Sequence, residues 1–135
     1  MENHQPDGAH LDLHLPASST SVPLGRRAAA QFAEEVGCRP ETLWRVRLAV
    51  SEALSNAVLH AYEPEDVASA EITLQAQAHA DRVVVAVVDR GTGMRARSDS
   101  PGVGLGLGII ASSCDELELD TDSSGGTIVR MIFRR

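Results

Sequence analysis

Hydrophobic and polar residues alternate in two segments of this 135-residue chain. In segment 10–15, Leu11, Leu13 and Leu15 are separated by polar residues, and this period of two predicts a strand with one buried face. Segment 70–78 alternates in the same way. Segment 82–89 is almost continuously apolar, which is typical of a central strand.

Elsewhere the apolar residues follow a helical spacing. Phe32 lies four residues after Ala28 and four before Val36, which predicts a helix that buries one face and ends at Gly37. A second, longer helix begins near Pro40. The predicted elements are, in chain order, strand 10–15, helices 21–37 and 40–61, strands 70–78 and 82–89, helix 107–114, and strands 115–121 and 127–134.

This order of elements differs from the regular strand–helix alternation of doubly wound folds. It predicts an α+β fold in which the helices lie on one face of a mostly antiparallel sheet. We expect residues 1–10 to be a disordered N-terminal tail and residues 11–135 to form a single domain.

Charge and composition narrow the classes of partner and compartment. The formal net charge of −7 disfavours binding to nucleic acid and to acidic membrane surfaces. The sequence shows no apolar run long enough for a membrane span and no secretory signal in its first ten residues. Cys38 and Cys114 belong to no metal-binding or redox motif, so we expect reduced thiols in a cytoplasmic protein.

The first candidate for chemistry is the pair Glu52 and Asn56, one helical turn apart and therefore on one face of the second predicted helix. Leu48 lies a turn earlier on the same face, which borders the core. Asn offers a neutral oxygen to Mg²⁺, and Glu could accept a proton from an attacking hydroxyl or water. Taken alone, the pair is better explained as a solvated helix surface; the motifs that follow favour a site.

The second candidate is Asp89, which ends the most apolar predicted strand on the same face as Val87. A carboxylate buried there is costly unless it accepts a hydrogen bond. The functional interpretation is that Asp89 accepts the exocyclic amino group of adenine, while Gly91 and Gly93 let the backbone pass close to the base. A simple turn at the end of the strand is the alternative.

The third candidate is the glycine run of Gly102, Gly104 and Gly106, which leads into a predicted helix and can present backbone N–H groups to an anion. The preceding residues 94–101 are polar rather than a strand, so the run does not match the Rossmann fingerprint. A Walker A loop needs a lysine, and this chain contains none. Phosphate charge must therefore be met by backbone, Mg²⁺ or arginine.

Taken in order, the motifs ExxxNAxxHAY (52–62), DxGxG (89–93) and GxGLGLxI (102–109) resemble the three nucleotide-binding boxes of the Bergerat-type, histidine-kinase-like ATPases. Within that superfamily, the small size and the first motif resemble the anti-sigma-factor serine kinases of the RsbW type. The resemblance covers residues 11–134. It implies a two-layer α/β sandwich with a mixed, mostly antiparallel sheet, and it implies ATP and Mg²⁺ as cofactors.

The resemblance also implies roles for individual residues. Glu52 would be the general base, Asn56 the Mg²⁺ ligand and Asp89 the adenine acceptor. Thr127 would add a polar contact near the phosphates. The two glycine segments would supply the rest of the nucleotide site: Gly91 and Gly93 around the base, and Gly102, Gly104, Leu105 and Gly106 around the phosphates.

The implied function is that of an ATP-dependent protein serine/threonine kinase. Such a protein phosphorylates an anti-anti-sigma factor and, as a homodimer, binds and inhibits a sigma factor, without contacting nucleic acid or a membrane. Only the eight residues 94–101 separate the last two motifs, fewer than in the ATP lid of better-known members. A short lid leaves open a nucleotide-gated binding module that sequesters a partner without efficient phosphoryl transfer. An ATP hydrolase or a detached histidine-kinase-like catalytic domain is a third alternative.

Overall fold

The protein is an α+β domain, as the order of elements predicts. The computed structural model describes residues 8–60, 70–89, 101–121 and 126–135; for residues 60 and 101–106 it describes the backbone alone. The elements are β1 (His10–Pro16), α1 (Ser21–Glu35), α2 (Pro40–His60), β2 (Glu71–Ala78), β3 (Arg82–Asp89), α3 (Pro101–Ser113), β4 (Glu116–Thr121) and β5 (Thr127–Arg134).

The five strands form one sheet in the order β1-β2-β3-β5-β4, and each neighbouring pair is antiparallel. The strand with the most continuous apolar sequence, β3, lies in the middle, as its composition predicts. The tight connection between β2 and β3 is closed by the His79 N–H, which donates to the Arg82 carbonyl oxygen over 2.8 Å.

One face of this sheet is covered by α1 and α2, which also pack against each other, while α3 packs along α2. Because side chains alternate along a strand, every second residue of β2, β3 and β5 points toward the helices and is buried. The largest fully buried side chains are Phe133, Leu54, Ile72, Leu74, Ile110, Met131 and several valines.

The helix α1 ends in a glycine cap. Gly37 adopts a left-handed backbone with φ of 93°, which a residue with a Cβ rarely takes. The Gly37 N–H donates to the Glu34 carbonyl and the Cys38 N–H to the Ala33 carbonyl, each over 3.0 Å, and this pair of bonds is the Schellman motif. The helix therefore ends at Glu35, two residues earlier than the sequence predicts.

The start of α3 corrects a sequence-based prediction. Residues up to 106 were expected to form a glycine-rich loop, with a helix only from 107 to 114, but the helix begins at Pro101. Proline suits the first turn of a helix because its fixed φ is already helical and its missing N–H is not needed there. The helix cost of the glycines, about 1 kcal/mol each, is offset by packing along α2 that buries Ile110 completely.

Candidate functional site

Buried polar side chains show where the core departs from simple packing. Among the described residues, three of them are satisfied by backbone carbonyls. The hydroxyl of Ser21 donates to Pro16 over 2.6 Å, that of Thr42 to Arg134 over 3.3 Å, and that of Ser113 to Ile109 over 2.8 Å. These hydrogen bonds satisfy the three buried hydroxyls within the fold, so no ligand is needed to explain their burial.

The other buried polar side chains are Asn56, Asp89 and Thr127, which are 5%, 2% and 6% exposed. All three are among the residues singled out from the sequence. Asp89 at the end of β3 lies directly opposite Thr127 at the start of β5. Both lie on the face of the sheet that the helices cover, in line with the buried Val87 and Val129.

The direction of α2 brings Asn56 to the same end of the sheet. In the first turn of α2, the Thr42 hydroxyl is fixed to the carbonyl of Arg134 at the far end of β5. From there the helix runs about 21 Å to Asn56. Over the same distance, about 23 Å, β5 runs back from Arg134 to Thr127. Since α2 packs on both β3 and β5, the buried side of Asn56 faces the region of Asp89 and Thr127.

The N-terminus of α3 reaches this region as well. Near the other end of α3, the Arg45 guanidinium of α2 donates to the Ser113 carbonyl over 3.5 Å and to the Asp115 carboxylate over 3.4 Å. The two helices thus run side by side in opposite directions, and about 18 Å of each separates this contact from Pro101 on one and Ala57 on the other. A helix N-terminus carries unpaired backbone N–H groups and a partial positive charge, which suit a phosphate.

Asn56 has a buried amide group whose hydrogen-bonding capacity is not used. No described group accepts a hydrogen bond from its Nδ2 atom. Leaving such a group unpaired costs about 1–3 kcal/mol, so its presence points to a partner that the described residues do not supply, as a bound ligand would. A half-turn of the amide exchanges the nitrogen for the carbonyl oxygen, which is a suitable ligand for Mg²⁺. Asn56 therefore fits the cation that the sequence motifs imply.

Asp89 fits the purine. An ionised carboxylate accepts at up to about four positions, so Asp89 can bond within the chain and still accept from a ligand. At 2% exposure it lies in a largely apolar setting, where a hydrogen bond to a charged acceptor is strong. The exocyclic amino group of adenine is a donor of the required kind.

Glu52 occupies the rim rather than the interior of this region. It lies one turn before Asn56 on α2 and is partly exposed. Leu48, one turn earlier again, is 41% exposed and does not border the core as the sequence suggested. The order along the helix from Leu48 through Glu52 to Asn56 thus leads from the surface into the site.

Several residues of the sequence prediction lie outside the described residues or are described by their backbone alone. Gly91 and Gly93 lie outside the described residues, as does the short segment 94–100. Gly102, Gly104, Leu105 and Gly106 belong to the first turns of α3 by their backbone. Their contacts with base or phosphate remain predictions.

In the described parts of the chain, no helix has both the length and the hydropathy of a membrane span.

The chain is similar to known proteins in family, in sequence and in structure. The family model of the histidine kinase-like ATPase domain matches residues 15–133. A serine-protein kinase RsbW from Listeria monocytogenes is 38% identical over 82 residues, which are 61% of this chain and 51% of that relative. The RsbW of Bacillus pumilus is 31% identical over 81 residues, 60% of this chain and 50% of its own length.

Two further similarities bear on the fold and the functional class. An anti-sigma F factor from Clostridium beijerinckii is 26% identical over 83 residues, 62% of this chain and 57% of the relative. A crystal structure of RsbU and RsbW domains from Mycobacterium tuberculosis superposes with a TM-score of 0.68 at 23% identity, covering 92% of this chain and 32% of that one. This chain spans about half the length of the RsbW relatives it matches.

Proposed function

The chain belongs to the histidine kinase-like ATPase domain family, which implies the use of ATP, and on that premise we propose that it is a protein serine kinase. Its substrate is an anti-anti-sigma factor, and it also binds and inhibits a sigma factor. The observation that carries the proposal is the burial of Asn56, Asp89 and Thr127, with Asp89 and Thr127 paired at the end of the sheet toward which α2 and α3 run. The names of the relatives, serine-protein kinase and anti-sigma factor, support the class of activity.

In this proposal each buried residue binds a different part of the nucleotide. Asp89 accepts a hydrogen bond from the amino group of adenine. Thr127 adds a polar contact, and because it lies opposite Asp89 we assign that contact to the base side of the nucleotide rather than to the phosphates that the resemblance implies. The backbone N–H groups of Gly102, Gly104 and Gly106 face the phosphates, with Leu105 in the same turn. Gly91 and Gly93 shape the base pocket. Asn56 holds Mg²⁺ through its side-chain oxygen, and the cation, when bound, offsets the negative charge of the phosphates.

Glu52 supplies the step that turns binding into transfer. It accepts the proton of the substrate serine hydroxyl as that oxygen forms a bond to the terminal phosphorus of ATP, while the bond from that phosphorus to the oxygen bridging the β- and γ-phosphates breaks and ADP leaves. Its place at the rim suits this role, since a hydroxyl carried by another protein can reach a side chain there and cannot reach one in the core.

The test is phosphoryl transfer from ATP–Mg²⁺ labelled at the terminal phosphate to each purified anti-anti-sigma factor encoded in the same genome. We expect the wild type to label a serine on one of them. The variant Glu52→Gln should bind ATP with unchanged affinity and lose transfer by about 100-fold or more. As a matched control, Glu41→Gln on the exposed first turn of the same helix should transfer at the wild-type rate. Undiminished transfer by Glu52→Gln would remove Glu52 from the mechanism.

A nucleotide-gated binding module is the second candidate function. The similarity to an anti-sigma F factor and the short segment between the last two motifs favour it. Such a module binds a sigma factor in an ATP-dependent way but transfers no phosphate. Titration of the sigma factor with and without ATP, followed by a transfer assay on the same preparation, separates the two functions. We also propose a homodimer, which light scattering on the purified chain would establish or refute.

A further inference from the structure

The outward side of α2 carries a row of exposed apolar residues. Trp44 is 65% exposed, Leu48 41% and Leu59 69%. At about 100° per residue these three positions fall within a sector of roughly 60° on the helix, so they form one stripe, here called the α2 stripe. It extends over about 22 Å of helix.

This arrangement differs from the usual scatter of apolar residues on a surface. Single exposed apolar side chains are normal and need no explanation. Here three of the six exposed large apolar side chains in the described part of the chain share one side of one helix. One of them is a tryptophan, a residue type that is enriched among the energetically dominant positions of protein interfaces. The stripe therefore has the character of a binding surface.

The α2 stripe lies beside Glu52. Leu48 precedes Glu52 by one turn and Leu59 follows it by two, so the stripe and the rim of the site are continuous on one helix. A protein that brings a serine hydroxyl to Glu52 must lie over this part of α2. The position of the stripe thus selects the substrate protein among the possible occupants.

Charged residues beside the α2 stripe, on the side away from Glu52, indicate which side chains a partner would bring to this surface. The Arg26 guanidinium of α1 donates to the hydroxyl of Ser51 over 3.3 Å, which places it against the outer side of α2. Arg47 is exposed next to the stripe and lines the same shallow groove between the two helices, in which three arginines outnumber the two carboxylates of Glu34 and Glu35. Carboxylates on the partner would complement these two arginines. A second copy of the chain on this surface would cover the approach to Glu52, so the proposed homodimer would form at another surface.

We propose that the α2 stripe is the docking surface for the protein substrate, which covers it with apolar side chains and places carboxylates against Arg26 and Arg47. This inference rests on the proposed kinase function, because it identifies the occupant as the protein whose serine Glu52 serves. Docking at the stripe holds the substrate at the rim of the site and positions its hydroxyl, a gain in proximity that ATP binding alone does not provide.

Because Trp44 is the only tryptophan of the chain, its fluorescence reports directly on the α2 stripe. Anti-anti-sigma factors from the same genome, with any tryptophan replaced by phenylalanine, are titrated into the purified chain while calorimetry measures affinity independently. On binding, we expect the emission of Trp44 to shift to shorter wavelength and its quenching by acrylamide to fall. Leu48→Ser and Leu59→Ser should each weaken substrate binding about tenfold or more and leave ATP affinity unchanged. Leu24→Ser on α1 and Leu119→Ser on β4, at 51% and 49% exposed, are matched controls that should change neither.

The possible outcomes separate docking from catalysis. Binding that shifts the Trp44 emission, without phosphoryl transfer, supports the docking surface and rejects the kinase. Transfer that the stripe variants leave undiminished supports the kinase and rejects the docking surface. An emission shift that depends on the concentration of this chain alone assigns the stripe to a second copy and overturns the proposal. Calorimetric binding without an emission shift, or no binding by any of these factors, also overturns it.

Discussion

At the scale of single residues, the proposed function assigns the choice of nucleotide base to Asp89. Replacing it with Asn preserves the size of the side chain but substitutes an NH₂ donor for one acceptor oxygen, and it removes the charge. A hydrogen bond to a charged group contributes about 1.5–3 kcal/mol. We therefore expect Asp89→Asn to weaken ATP binding by about 10- to 150-fold in titration calorimetry.

The same titration needs a control for charge and one for folding. Glu116→Gln on β4 changes charge by the same amount at an exposed position and should leave ATP affinity unchanged. Thermal unfolding without nucleotide shows whether Asp89→Asn is folded. If the folded variant binds ATP as tightly as the wild type, Asp89 does not contact the base.

Asp115 has a structural role at the residue scale. Its Oδ2 atom accepts the backbone N–H of Arg134 over 2.7 Å and lies 3.4 Å from the Arg45 guanidinium. The backbone N–H, with help from Arg45, holds the pKa of this carboxyl below its usual value. A lowered folded-state pKa contributes stability that is fully present above the unfolded value, near pH 4, and is lost as the pH falls through the folded value.

The lowered pKa of Asp115 predicts that the difference in unfolding free energy between the wild type and Asp115→Asn depends on pH. Asp115→Asn should be about 1 kcal/mol less stable than the wild type at pH 7 in urea unfolding. The difference should shrink below pH 4 and largely vanish once the wild-type carboxyl is protonated. Asp81→Asn, whose carboxylate is exposed, is a control that should show little difference at either pH. A deficit in Asp115→Asn that persisted unchanged at pH 2 would mean that the charge is not the cause.

Single-residue reasoning from the sequence identified Asp89, which is polar where the periodicity requires burial, and Asn56, which shares a helix face with Glu52 beside the core. Thr127 was implied by the family resemblance alone. The sequence could not separate these residues from Thr42, whose equally buried hydroxyl is satisfied by a carbonyl 92 positions away. That distinction depends on which group is within reach in three dimensions. The exposed Trp44 was missed for the opposite reason, since an apolar residue in a helix is ordinarily assigned to the core.

At the scale of elements, the close packing of α1 on α2 depends on Gly25. A Cβ added there would overlap Cδ1 of Leu54, a side chain that is completely buried. Overpacking of a core costs about 1–3 kcal/mol. The gain in helix propensity from Gly to Ala, at most about 1 kcal/mol, opposes it. We expect Gly25→Ala to lower the free energy of unfolding by about 1–2 kcal/mol in urea.

The matched variant is Gly108→Ala on α3, where no atom of the described residues lies within 4 Å of the added Cβ. Only the helix propensity changes there, so this variant should be more stable by up to about 1 kcal/mol. Both are measured without nucleotide, because Gly108 lies near the predicted phosphate segment. Stabilisation by both substitutions would show that α1 and α2 are not in close contact at Gly25.

Most elements could be predicted because their periods are clear. The boundaries of β3 and β5 match the prediction to within a residue, since both strands have well-marked ends. The start of α3 could not be predicted in this way. A glycine-rich sequence favours a loop in isolation, and only packing along α2, made by residues far away in the chain, decides for a helix.

At the scale of the whole molecule, two hydrogen bonds between residues far apart in the chain help to align the helices on the sheet. Thr42 fixes the start of α2 to β5, and Arg45 fixes the end of α3 to α2. From these contacts, both helices run toward the end of the sheet where β3 ends and β5 begins. The sequence motifs name the residues of the site, but their convergence is a property of the assembled domain.

That convergence predicts a linkage between nucleotide and global stability. ATP–Mg²⁺ at 100 times its Kd should stabilise the domain by about 2.7 kcal/mol, or about 8 °C in Tm for a chain of this size. Removing Mg²⁺ with EDTA should abolish most of the increase. Asn56→Leu should show no such increase. Without nucleotide it should be at least as stable as the wild type, because it replaces a buried amide with an unpaired Nδ2 by an apolar group of the same branched shape. Two opposite changes in one variant identify a residue kept for its ligand, whereas a loss of stability with and without nucleotide would identify Asn56 as part of the fold.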